Sequence, residues 1–206
     1  MMMDMQRILR DPAHAVWWSL RKPYTFYQLW MLRRTALVGR HVRLYVHAEW
    51  TNARNDQLEI GDHVILGDVI FHIHGHGKVS IGEYTAISGV RIECGTGVTI
   101  GKYCQLSYNV DIHDNNGHPV EPEERKKQIL SLHHKGMDPP SVYESEMAPV
   151  IIGDNVWIGH DVTIMKGVMI GDNAIIATGS VVTHHVPANT LAAGNPARVV
   201  KELGEV

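Results

Sequence analysis

Residues 152–186 read IGDNVWIGHDVTIMKGVMIGDNAIIATGSVVTHHV. Ile152, Ile158, Ile164, Ile170, Ile176 and Val182 stand six apart without a slip, and four positions after each comes Val156, Val162, Val168, Ala174, Ser180 or Val186. Six residues per unit and three units per turn make a coil of 18 residues, the separation of Ile152 and Ile170. Stacked coils place short strands in parallel sheets about 4.8 Å apart. Positions i and i+4 then point into a prism and stack in columns of small or β-branched side chains. The reading is a parallel β-helix of the hexapeptide kind. Gly at i+1, with Asp or Asn after it, as in Gly153-Asp154-Asn155 and Gly171-Asp172-Asn173, is expected at the corners, where φ turns positive.

The same signal extends upstream in looser form. Leu58-Glu59-Ile60-Gly61, Val79-Ser80-Ile81-Gly82 and Val98-Thr99-Ile100-Gly101 are further copies, and Val38-Gly39 is a weaker one. Ile60 to Ile81 is 21 residues and Ile81 to Ile100 is 19, so extra residues must bulge from corners. Ile100 to Ile152 is 52 residues, and residues 113–149 are expected to leave the prism as a long excursion loop. Such a loop on a rigid scaffold is usually functional.

Composition agrees with strands. The chain of 206 residues has 44% hydrophobic residues, 19 glycines and two phenylalanines, so its core is built from Ile and Val. Net charge is −3, which argues against a nucleic-acid partner. Cys94 and Cys104 form no framework and no C-x-x-C pair, and Cys104 falls at an inward position as a small core residue. No long apolar run and no signal-like opening occur, so a cytoplasmic location is expected. Charge is divided: residues 1–43 hold eight basic and two acidic residues, a net of +6, while the remainder carries −9. Residues 1–37 are read as a helical, basic, aromatic arm and 38–206 as the β-helix. The arm, with Trp17, Trp18, Arg21 and Lys22, suits either an anionic membrane surface or, more simply, a cap packing its aromatics on the prism.

The hexads, Gly117-His118-Pro119-Val120 on the excursion, Asn155-Val156-Trp157-Ile158-Gly159, and Ala193-Gly194-Asn195-Pro196-Ala197-Arg198 together resemble the hexapeptide-repeat O-acetyltransferases, notably galactoside, maltose and surface-polysaccharide sugar acetyltransferases. The resemblance covers roughly 38–203. It implies a left-handed β-helix, a homotrimer, acetyl-CoA as co-substrate with no metal, and a sugar or polysaccharide-precursor acceptor. Left-handedness runs against the usual crossover rule and rests on the resemblance alone.

Acetyl transfer to a hydroxyl needs a base and an oxyanion donor. The resemblance gives the base role to His118, with His113 as its rival, and histidine suits that role. The base needs an orienting partner; Asp114, Glu121, Glu123, Glu124 or a backbone carbonyl are the nearby options. The family's oxyanion asparagine falls at Ile87, which cannot donate from its side chain, leaving Ser88 or a backbone N–H near Gly89. Trp157 matches a residue lining the pantetheine tunnel. His160, Thr178, Thr183 and His184 match CoA contacts, and Arg198 and Lys201 match residues meeting the CoA phosphates. Two other readings stand beside this one. His72, His74 and His76 alternate and could hold zinc in the manner of a β-helix carbonic anhydrase; alternatively, the solenoid is a non-catalytic scaffold.

Overall fold

A computed structural model describes residues 12–51, 56–135 and 146–204, with the side chains of 12–22, 51 and 135 outside that description. Helix α1 (Pro12–Thr35) precedes strands β1 (Leu37–Val38), β2 (Arg43–Thr51), β3 (Leu58–Ile60), β4 (Ile65–Ile73), β5 (Lys78–Ile81), β6 (Ala86–Cys94), β7 (Gly97–Ile100), β8 (Gln105–Leu106) and β9 (Val110–His113). Helix α2 (Pro122–Lys135) interrupts the strands, which resume as β10 (Val150–Ile152), β11 (Trp157–Ile158), β12 (Thr163–Ile164), β13 (Met169–Ile170), β14 (Ile175–Ile176), β15 (Val181–Val182), β16 (Thr190–Gly194) and β17 (Ala197–Glu202).

One side of the solenoid is a six-stranded parallel sheet, β1-β3-β5-β7-β10-β13, with one strand from each coil. The other two sides share a sheet, because the nine-residue strands β2, β4 and β6 bend round a corner. The first half of β6 pairs with β8 and its second half with β9. From β10 to β15 the period of six leaves strands of two or three residues: β8-β11-β14-β16 form one side, and β9-β12-β15 the other. The inward columns are as the hexads require: Ile112, Ile164 and Val182 stack, as do Leu106, Ile158 and Ile176, all buried.

The corner glycines differ from expectation in their reason. The positive φ falls two residues later, on His63, Tyr84, Tyr103, Asn155 and Asn173. At Gly82 the requirement is close approach instead: a Cβ there would lie 2.6 Å from the carbonyl carbon of Gly101 in the next coil. The left-handed positions form an exposed ladder. His41, His63, Tyr84 and Tyr103 stack ring on ring, and Asn155, Asn173 and Asn189 exchange amide hydrogen bonds of 2.9 Å.

Helix α1 runs through Pro23 and covers the open edge strand β2. Gln28 Nε2 donates to Ala48 O at 2.9 Å and Ala48 N donates to Gln28 Oε1 at 3.3 Å, so one amide side chain substitutes for a pairing strand. Gln28, Leu32 and Ala36, four apart, form the buried stripe. The expectation that the arm packs its aromatics is not met at the described positions: Tyr24, Phe26, Tyr27 and Trp30 are exposed, and Arg34 lies 4.6 Å over the Trp30 ring. Trp17, Trp18, Arg21 and Lys22 lie outside the described side chains. No helix among the described residues is long and apolar enough to cross a membrane.

Candidate active site

The excursion begins where β9 ends, and its neck is tied by Asp114. This fully buried carboxylate accepts N–H bonds from Gly95, Thr96 and Gly97 at 2.7–3.0 Å, and an amide hydrogen from Asn115 at 2.9 Å. Backbone donors converging on a carboxylate form a strong, directional anchor. Asp114 O also accepts from Ala148 N at 2.8 Å, and Asn115 bridges to Met147, so the two ends of the excursion meet at one point. The excursion is not irregular throughout, as the sequence reading had it: fourteen of its residues form α2, with Glu123 and Glu124 in the first turn, where they favour the helix dipole.

Helix α2 supplies what His118 needs. Buried Gln128 places Oε1 2.8 Å from His118 Nδ1. An amide oxygen can only accept, so Nδ1 carries the hydrogen and Nε2 presents a lone pair. The orienting partner is therefore a neutral amide ten residues downstream, not Asp114, Glu121, Glu123 or Glu124. Asp114 is committed to the neck, and the three glutamates are exposed. Arg125 fixes the same segment by donating to the carbonyls of Pro119 and Val120 at 3.0 and 2.8 Å.

His118 and His113 line one open cavity of about 970 Å³, together with His72, Glu93, Thr163 and Met165. That volume is at the upper end for small-molecule sites. Among the described residues His113 has no side-chain hydrogen bond, so of the two rival histidines only His118 is oriented. Arg91, at the cavity wall, pairs with Asp111 at 2.7 Å, and that hydrogen bond raises its pKa above the ordinary guanidinium value.

The zinc arrangement does not form. Strand β4 ends at Ile73, and Gly75 takes a φ of 54°, so His76 lies on an exposed turn. His72 and His74 both turn to Glu93, with Nδ1–Oε1 2.6 Å and Nε2–Oε2 3.4 Å. Among the described residues no group of three or more His, Cys, Asp or Glu is arranged to hold a metal. Both thiols are buried. Burial first, then Asp114 beside it, pushes Cys94 well above the ordinary thiol range, and burial raises Cys104. Neither is a nucleophile. Ile87 is buried in the prism, while Ser88 and Gly89 line a separate groove of about 440 Å³ with Tyr108, sharing only Arg91 with the His118 cavity.

The residues expected at CoA divide between two edges. Trp157, 54% exposed, stands outward between Gln105 and Ile175. His160, bonded to Asp161 at 2.7 Å, and Thr178 occupy the next corner. Arg198 and Lys201 lie exposed on β17, beneath the same side. Thr183 and His184 sit on the opposite corner, bonded to each other at 2.8 Å. Thr183 extends the column of His113 and Met165, since Met165 N donates to Val182 O.

Residues 149–184 match a family described as bacterial transferase hexapeptide (six repeats). The galactoside O-acetyltransferase of Escherichia coli K12 is 41% identical over 108 residues, which is 52% of this chain and 45% of that protein. Solved structures are similar over a longer span. A galactoside acetyltransferase in complex with coenzyme A has a TM-score of 0.59 at 27% identity, covering 86% of this chain and 70% of that one. A maltose O-acetyltransferase from Clostridium difficile 630 has a TM-score of 0.58 at 27% identity, covering 86% and 75%. The chain spans about half the length of the curated relatives it matches. Residues 149–184 thus carry the hexapeptide repeat of bacterial transferases, and the fold around them is similar to that of sugar O-acetyltransferases.

Proposed function

We propose that the chain is an acetyl-CoA-dependent O-acetyltransferase acting on a sugar hydroxyl, of a polysaccharide or its precursor, in the cytoplasm. The observation that carries this reading is His118, held by Gln128 with Nε2 open, in a cavity lined by β-helix side chains. His118 Nε2 takes the acceptor proton as the hydroxyl oxygen attacks the thioester carbonyl. The tetrahedral intermediate then expels the CoA thiolate. Transfer is direct, because neither buried cysteine can carry the acyl group. The similarity to an enzyme solved with coenzyme A supports CoA as the carrier. Trp157, His160, Thr178, Arg198 and Lys201 would hold it on one edge, and Thr183 and His184 on the other. That division supports a homotrimer, in which one subunit's edge meets the next subunit's cavity.

His118→Ala should lower kcat by roughly 10²- to 10⁴-fold while leaving CoA affinity nearly intact. Acetyl-CoA consumption against a sugar panel, beside calorimetric CoA titration, measures both. Retained turnover in His118→Ala with loss in His113→Ala would move the base to His113.

The exposed row Tyr24, Phe26, Tyr27 and Trp30 beside Arg33 and Arg34 favours a second role for α1, peripheral contact with an anionic membrane. Vesicles containing anionic lipid should pellet the full chain. Equal pelleting after Phe26→Ser and Trp30→Ser would reject that role.

A further inference from the structure

We propose that His72 and Glu93 are the acceptor-reading residues of this cavity, and that they take the sugar through two adjacent hydroxyls. The inference rests on the acetyltransferase reading above but concerns residues that reading leaves unused.

His72, Glu93 and His113 occupy one register column on three successive coils. They stand about 4.8 Å apart along the solenoid, facing the loop that carries His118. The same column continues as Met165 and Thr183, so the fold does not require ionisable side chains there. A carboxylate can only accept, so His72 Nδ1–H donates to Glu93 Oε1 at 2.6 Å. In the tautomer that this bond selects, Nε2 is an acceptor. His74 braces the other carboxylate oxygen at 3.4 Å, fixing the plane of Glu93 while leaving lone pairs on both oxygens. The Glu93 side chain is about one-quarter exposed and that of His72 about one-third, so both reach the cavity from a supported position.

The result is two hydrogen-bond acceptors, imidazole Nε2 and carboxylate oxygen, on neighbouring coils at one end of the cavity. The ligand that matches them offers two donors a short distance apart. Adjacent hydroxyls of a sugar ring do so, and a lone alcohol does not. An acceptor lacking one hydroxyl leaves a half-buried acceptor atom unsatisfied, which sites of this kind discriminate against strongly. The third hydroxyl, delivered toward His118, is the one acetylated.

The test measures acceptor and acetyl-CoA kinetics for wild type, His72→Phe, His72→Gln and Glu93→Gln, with CoA affinity by calorimetry and a thermal melt as controls. The acceptors are a hexose, its monodeoxy analogues and a simple mono-alcohol. Expected are at least a roughly 10-fold rise in acceptor KM for His72→Phe and Glu93→Gln, unchanged CoA affinity, and partial rescue in His72→Gln, which restores one acceptor atom. At least one deoxy analogue should lose a similar factor in kcat/KM with wild type and little further with Glu93→Gln. Acceptor KM within twofold of wild type in both variants, or equal turnover of the mono-alcohol, overturns the inference and leaves the acetyltransferase standing. Absence of CoA binding and of transfer to any acceptor in wild type overturns both.

Discussion

The coils after the excursion and the coils before it obey the same rule and use it differently. From β10 to β15 every strand is two or three residues, every inward position falls on the hexad, and the outward columns hold Met165, Thr163 and Val181. From β2 to β6 the strands run to nine residues, turn a corner while still paired, and slip register between Leu44 and His47. The outward columns there hold His72, Glu93 and Arg91. A strict period repeats the same short outward space from coil to coil, and it makes the ruled edges that carry the residues proposed above for CoA. A broken period frees length at the corners, and the chemistry gathers there and at the 113–149 excursion.

Asp114→Ala attacks the junction of the two regions. It strands the three backbone N–H groups of Gly95, Thr96 and Gly97 and should cost about 2–4 kcal/mol in urea unfolding, with activity falling as the loop detaches. A cost under about 1 kcal/mol would mean the excursion is held elsewhere. Next, Ile164→Ala in the regular coils and Ile92→Ala in the irregular ones should each lose about 2–5 kcal/mol, since both are fully buried. A markedly smaller loss at Ile92 would show that the upstream prism collapses around the cavity, and the two regions would differ in packing as well as outline.

Gln128→Ala should reduce kcat by about 10-fold, equivalent to about 1.4 kcal/mol, with unchanged acetyl-CoA KM. The wild-type rate in that variant would remove α2 from the orientation of His118.

The smallest expected effect concerns acid. Asp62 lies below the ordinary carboxylate range because of hydrogen bonds from the backbone and side chain of Arg40, and Asp161 because of Asn109 and then His160. Groups depressed in the folded state stabilise above their unfolded value, and that contribution disappears as pH falls through the folded value. The melting temperature should therefore drop as pH is lowered below about 4, the ordinary carboxylate value. Asp62→Asn and Asp161→Asn should each blunt the drop slightly, as exposed pairs do. A full-sized acid drop in the double variant would assign it to other carboxylates.

By itself the sequence determined the solenoid and the place where it is interrupted; the resemblance, not the period, singled out His118 and His113 from the histidines of that interruption. The solenoid and its interruption are legible because a period of six is local: each residue's direction follows from its place in the hexad, with no knowledge of what lies across the prism. Tertiary structure alone decided which partner orients His118, because Gln128 lies in a helix with a weak apolar pattern and meets the histidine only when the loop folds back. It alone set Asp114 as the anchor of the neck and Glu93 as the partner of His72, each pair joining residues about 20 positions apart on neighbouring coils. It also reversed the expected face of α1, since a single amide, Gln28, satisfies the open edge of β2 better than any aromatic ring could. Hydrogen bonds between coils depend on register across 17 to 22 residues, and a one-dimensional pattern carries the period but not the partner.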